Sequence, residues 1–177
     1  MRWLAVITLA ALVVRVLRLE WQPLWWDEGY SVYFASESLA RMLWLTAHDI
    51  HPPLYYALLH YWSAIAGGLT PAVLRLLSVL VGVLAVPLTG WLGLLFYPQQ
   101  VRIALIAALL MAFNPMQLFY SQEVRMYGLA LTLTVLSSGL LWLSVQRLAR
   151  GERSRWQLVG YIVACTLALY TLYYTAL

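Results

Sequence analysis

The sequence predicts an all-α polytopic membrane protein, a helix bundle with about five spanning helices and two juxtamembrane helices in its first outer loop. Three observations predict it. Hydrophobic residues make up 63% of the chain and charged ones only 10%, with a mean hydropathy of +0.77, whereas a soluble chain carries about a quarter charged residues. Apolar runs near or above the ~20 residues that a spanning helix needs recur along the chain. One short segment, "RLARGERSR" at 147–155, gathers four arginines and has the charge of a cytoplasmic loop.

The first run, "MRWLAVITLAALVVRVL", has the length of a signal-peptide core. No small-x-small cleavage site follows it, and Arg15, Arg18 and Glu20 come next. It therefore reads as an uncleaved first spanning helix. Further runs occupy 70–96, 101–119, 128–146 and 157–177. The run 52–69, "PPLYYALLHYWSAIAGGL", is shorter and rich in Tyr and Trp. That composition suits a helix lying at the outer membrane interface rather than one that crosses. Between these, 27–47 reads as broken helix restarting at "SESLARML", where Ser36 or Ser38 can cap. No repeat, low-complexity tract or domain boundary is visible.

Counting back from the arginine loop places 18–70 and 120–127 outside and 147–156 inside. Glu20, Asp27, Glu28, Glu37, Asp49 and Glu123 then share the outer face with His48, His51 and His60, while Glu152 lies inside. The net charge of +4 comes from arginines scattered between apolar runs, which excludes a nucleic-acid-binding stripe. The single Cys165 excludes a disulfide framework and a cysteine-based metal site.

Three outer segments carry chemistry. In "WWDEGYSVYFA", Asp27 and Glu28 sit among aromatic residues, where a partly dry setting tunes a carboxylate. The plain alternative is a solvated loop with two ordinary carboxylates. In "HDIHPPLYYALLHYW", His48, Asp49 and His51 are metal ligands by type, but their spacing fits no defined zinc motif and a polar turn before a helix explains them better. In "YSQEVRMYGLALTL", Glu123 and Arg125 lie at the membrane boundary, at the level of Arg75. They read either as a plain interfacial ion pair or as part of a site in which two arginines face carboxylates.

The segments "DEGYSVYFA", "HPPLYYALLHYW", "LRLLSVLVGVLAV" and "NPMQLFYSQEVRMYGLALTL" resemble, in that order and spacing, the N-terminal half of GT-C membrane glycosyltransferases. The closest likenesses are bacterial relatives of protein O-mannosyltransferases and of lipid A aminoarabinose transferases. The resemblance covers roughly residues 10–177. It implies an active site on the extracytoplasmic side of the cell membrane. It also implies a sugar donor linked to polyprenyl phosphate, inversion at the anomeric carbon, and an acceptor lipid, glycan or protein. Asp27 corresponds to the catalytic base, with Glu28 beside it, supporting it or binding a divalent metal. Arg75 and Arg125 are candidates for the donor phosphate or for organising the site, with Glu123 orienting Arg125. His51 and Tyr127 join the candidate substrate-binding residues. Members run to several hundred residues, so 1–177 is expected to be the N-terminal transmembrane catalytic module of a longer chain.

This chemistry needs one base for the acceptor hydroxyl and a cation for the phosphate. A glycoside hydrolase instead sets two carboxylates across a bond, which adjacent residues are poorly placed to do. A transporter or flippase of lipid-linked sugars is the alternative, expected to show interrupted helices and matching half-repeats; the sequence displays neither. A non-catalytic scaffold has no need of the acidic cluster.

Overall fold

The computed structural model describes residues 2–176, and among them the chain is helical throughout with no strand. The helices are α1 (Arg2–Val16), α2 (Trp26–Ser36), α3 (Leu39–Thr46), α4 (Leu54–Ala66), α5 (Pro71–Phe96), α6 (Val101–Phe113), α7 (Pro115–Ser121), α8 (Tyr127–Ala149) and α9 (Arg155–Thr171), followed by a short 3-10 turn at Tyr173–Ala176.

Local chemistry explains the boundaries. Ser38 caps α3 by accepting from the Arg41 amide at 3.4 Å. Thr70 caps α5 and Asn114 caps α7, each followed by a proline at the first helical position, where the missing N–H costs nothing. α4 stops at Gly67, whose φ of +89° is a left-handed conformation that glycine adopts without strain.

α5 is the central helix, packed against α1, α6, α7, α8 and α4, with α9 on the far side of α8. Small residues allow the close approaches. Ala11 of α1 meets Val86, Ala108 and Ala112, and a side chain on Gly93 would stand 2.9 Å from the Ala104 Cα of α6. Thr132 of α8 donates to the Val81 carbonyl of α5 at 3.0 Å. Where lipid replaces water, such packing and interhelical hydrogen bonds supply the association energy that burial supplies elsewhere. α1 is thus packed into the bundle against α5 and α6.

α5 and α8 are each long and apolar enough to cross a membrane, and the α6–α7 pair, bent by 55°, makes a third if it counts as one span. The expected count of about five is not reached. α1 has 15 residues and α9 has 17, so at ~1.5 Å per residue each is roughly 22–26 Å long, short of a ~30 Å hydrocarbon core. The run 101–119 is not one helix either, because the Asn114–Pro115 step ends α6 and starts α7. Three short helices, not two, lie between α1 and α5. α2 and α3 fall where the broken helix was expected, and α4 occupies the aromatic run. α4 rests on α2, α3, the start of α5 and the end of α9, with the Trp62 indole donating to the Val73 carbonyl at 2.7 Å.

Candidate functional site

The site forms where the first turn of α2, the first turns of α5 and the 122–126 turn between α7 and α8 meet. α2 begins at Trp26, so Asp27 and Glu28 are its second and third residues. Neighbouring residues on a helix point about 100° apart, and here the two carboxylates part company.

Glu28 is fully buried. Its Oε1 accepts from the Arg75 Nε at 2.8 Å and the Val124 amide at 2.9 Å; its Oε2 accepts from the Arg75 Nη2 at 2.7 Å and the Trp25 amide at 3.3 Å. Arg75 is equally committed. Besides the two bonds to Glu28, it donates to the carbonyls of Leu19 at 2.6 Å, Gln22 at 2.9 Å and Pro23 at 3.3 Å. An arginine has five N–H donors, and all five are used, so Arg75 has none left for a phosphate. The pair ties α2, α5, the segment after α1 and the 122–126 turn together.

Asp27 is different. Its side chain is 43% exposed, and its closest cation is the Arg125 Nη2 at 3.8 Å. Neither Asp27 carboxylate oxygen accepts a hydrogen bond among the described residues. Arg125 is buried and donates through Nη1 to the Asp27 carbonyl at 3.2 Å and through Nη2 to the Tyr127 hydroxyl at 3.4 Å. The His51 Nε2 lies 3.5 Å from Nη2, and the His51 Nδ1 lies 3.2 Å from the Asp49 carboxylate. These contacts suit a neutral ring protonated on Nδ1, donating to Asp49 and accepting from Arg125. The Arg125 Nε is buried without a partner. Asp27, His51, Arg125 and Tyr127 therefore converge.

Glu123 does not pair with Arg125 through its side chain, contrary to expectation. The two residues share a backbone hydrogen bond across the turn at 2.8 Å, and residues two apart in a tight turn project to different sides. Glu123 is buried with its Oε2 unpartnered. Burial, and then the nearby Glu28 carboxylate, push it up to about 7 against the pull of Trp25, Arg125 and Arg75. It faces a cleft of about 310 Å³ shared with Arg18, Trp21, Trp25, Phe119 and Gln122.

His48 stays apart, with its Nδ1 on the Trp44 carbonyl at 2.8 Å. Among the described residues no cluster of three or more His, Cys, Asp or Glu side chains is placed to hold a metal ion. The Arg125 guanidinium stands between Asp27 and His51, and Glu28 has no free lone pair to offer, so these residues do not fit a divalent cation.

Two supports escaped the sequence reading. Arg15, near the end of the first apolar run, is fully buried. It donates to the Ala112 carbonyl at 2.8 Å, the Met111 carbonyl at 3.4 Å and the Ser121 hydroxyl at 3.1 Å, so it caps the end of α6 at the bend. The Gln122 amide donates back to the carbonyls of Arg15 at 3.1 Å and Leu17 at 2.8 Å. An arginine on the last turn of an apolar helix was the available signal. Compared with protein-family models, curated proteins and solved structures, the chain matches none, so the family resemblance rests on the four sequence motifs.

Proposed function

We propose that the chain is the membrane-embedded N-terminal module of a GT-C-type glycosyltransferase. It moves a sugar from a polyprenyl-phosphate donor to an acceptor lipid, glycan or protein at the outer face of the cell membrane. The observation that carries this reading is the division of labour in the acidic pair: Glu28 is saturated by four donors, while Asp27 keeps both oxygens free. In the reaction Asp27 takes the proton of the acceptor hydroxyl, and the resulting oxygen attacks the anomeric carbon from the face opposite the phosphate. The anomeric C–O bond breaks and polyprenyl phosphate leaves, which inverts the centre. Arg125, with its unpartnered Nε, supplies positive charge for the phosphate. Arg75, with no donor to spare, organises the site. The reading counts α1, α5, the α6–α7 pair, α8 and α9 as five crossings, with local bilayer thinning accommodating the short α1 and α9.

The test compares Asp27→Asn with Glu28→Gln, measuring transfer from a polyprenyl-phosphate sugar in isolated membranes alongside protein yield. Asp27→Asn keeps the shape of the side chain but cannot take a proton. Turnover is expected to fall ~10²–10⁴-fold at unchanged yield, whereas Glu28→Gln lowers yield itself. Near-normal turnover of Asp27→Asn rejects the base assignment.

A flippase of lipid-linked sugars is the second reading, favoured by the break at Asn114–Pro115, since broken helices line transport paths. Movement of a labelled lipid-linked sugar across proteoliposomes without transfer selects it.

A further inference from the structure

The cleft that Glu123 faces shares the Glu28–Arg75 pair with the site above but does not include Asp27. Glu123 lines one wall, and its Oε2, buried from solvent, is an acceptor without a donor. Another carries Arg18, which is exposed, has no carboxylate partner among the described residues, and lies over the Trp21 ring at 5.0 Å. Arg18 has a φ of +65°, a left-handed conformation that strains a residue with a side chain. The Gln122 amide holds that turn in place by bonding the carbonyls of Arg15 and Leu17. Trp21, Trp25 and Phe119 add aromatic faces to the lining, which attract cations.

A ligand that satisfies both ends carries a donor cation for Glu123 and an anion for Arg18. The surroundings indicate a lipid. A second hollow shares Arg18 and Trp21 and is otherwise lined by Val16, Leu19, Glu20 and Ala72. Along the same α1–α5 seam, Leu4, Leu9, Leu12, Val83 and Pro87 line an open, almost wholly apolar groove of about 450 Å³.

We propose that this cleft binds the head of a membrane phospholipid bearing a primary ammonium and a phosphodiester, of the phosphatidylethanolamine type. Glu123 takes the ammonium, Arg18 takes the phosphate, and the α1–α5 groove takes an acyl chain. The charged groups around Glu123 are Glu28 of α2, Arg75 of α5, Arg125 of its own turn and Arg18 at the rim. The Glu28–Arg75 pair is internally neutral, so the ammonium answers to Glu123. Because the empty carboxyl is raised to about 7, ammonium binding strengthens as pH rises through 7.

The test titrates the detergent-solubilised protein with short-chain phosphatidylethanolamine, phosphatidylglycerol of the same chains, and soluble phosphoethanolamine, reading bound ligand by native mass spectrometry. Sugar transfer is not measured, so the outcome is independent of the transferase reading. Phosphatidylethanolamine is expected to bind at least about tenfold more tightly than the other two, and more tightly at pH 8 than at pH 6. Glu123→Gln should weaken it about ten- to a hundredfold, the range of a hydrogen bond between charged groups, and remove both the lipid preference and the pH dependence. Arg18→Gln, at an exposed position, should weaken both lipids alike. Equal affinity for the two lipids, or an Arg18→Gln variant that binds phosphatidylethanolamine normally, overturns the proposal. Phosphoethanolamine binding as tightly as the lipid overturns the membrane source.

Discussion

Replacing Arg75 with leucine removes five hydrogen-bond donors at once. Glu28 keeps the Val124 amide at 2.9 Å and the Trp25 amide at 3.3 Å but loses its cation while remaining fully buried. Of the three carbonyls that Arg75 served, those of Gln22 and Pro23 belong to exposed residues and can turn to water, whereas Leu19 is buried. Breaking a buried ion pair from one side costs about 3–5 kcal/mol, and the stranded Leu19 carbonyl adds about 1 kcal/mol. Together, about 4–6 kcal/mol at 1.4 kcal/mol per factor of ten should lower the folded-to-unfolded ratio by roughly a thousand- to ten-thousandfold. The assay is a double-mutant cycle on the solubilised protein, combining Arg75→Leu with Glu28→Leu and following denaturant unfolding. The double variant should be less destabilised than the sum of the singles by about 2 kcal/mol, because an apolar pair strands no charge. Arg75→Lys should recover little, since three donors on a point charge cannot replace a five-donor fork. Additivity within about 0.5 kcal/mol refutes the argument that the two residues act as one unit.

Cysteines placed at Ser38 and Arg153 in a Cys165→Ala background should label from opposite sides of the membrane, and labelling of both from one side rejects the arginine-loop topology. Gly93→Ala should destabilise by about 1–3 kcal/mol, because the new methyl meets the Ala104 backbone at 2.9 Å and backbone cannot swing aside; unchanged thermal stability contradicts that packing. Burial pushes the Glu123 carboxyl up to about 7 in the folded protein, above its ordinary range near 4.5, so the folded state binds more protons than the unfolded state in between. Stability should therefore fall as pH rises from about 4.5 to about 7. Glu123→Gln should flatten that slope in a thermal-melt series, and an unaltered slope removes Glu123 as its cause.

The helical class, the membrane setting and the restart of helix at Ser38 were legible because they depend on composition and local capping. The convergence of Asp27, Arg125 and His51 was legible as chemistry, since costly polar side chains in an apolar chain gather at few places. Which carboxylate of the pair turns inward was not. That depends on the residue at which α2 starts, and a shift of one position rotates every side chain by about 100°. The role given to Glu123 failed for a related reason: nearness in sequence brought its backbone, not its carboxylate, to Arg125. The Asn114–Pro115 break was visible as a dipeptide that starts turns, but the apolar run around it masked it. α9, which ends at Thr171 inside the run 157–177, shows that an apolar run and a helix need not share an end, because a run measures solubility while a helix ends where its backbone hydrogen bonds do.

The long-range partners of Arg15 and Glu28 impose an order on synthesis. Arg15 waits for Ser121, 106 residues later, and Glu28 for the Val124 amide, 96 residues later. At ~5–20 residues per second, each charge enters the insertion machinery some 5–20 s before its last partner exists. During that interval Arg15 lacks the Ser121 hydroxyl and Glu28 the Val124 amide, although Arg75 is available to Glu28 after 47 residues. Ribosome speed over the whole stretch between residues 28 and 121 therefore sets how long these two side chains wait for their last partners.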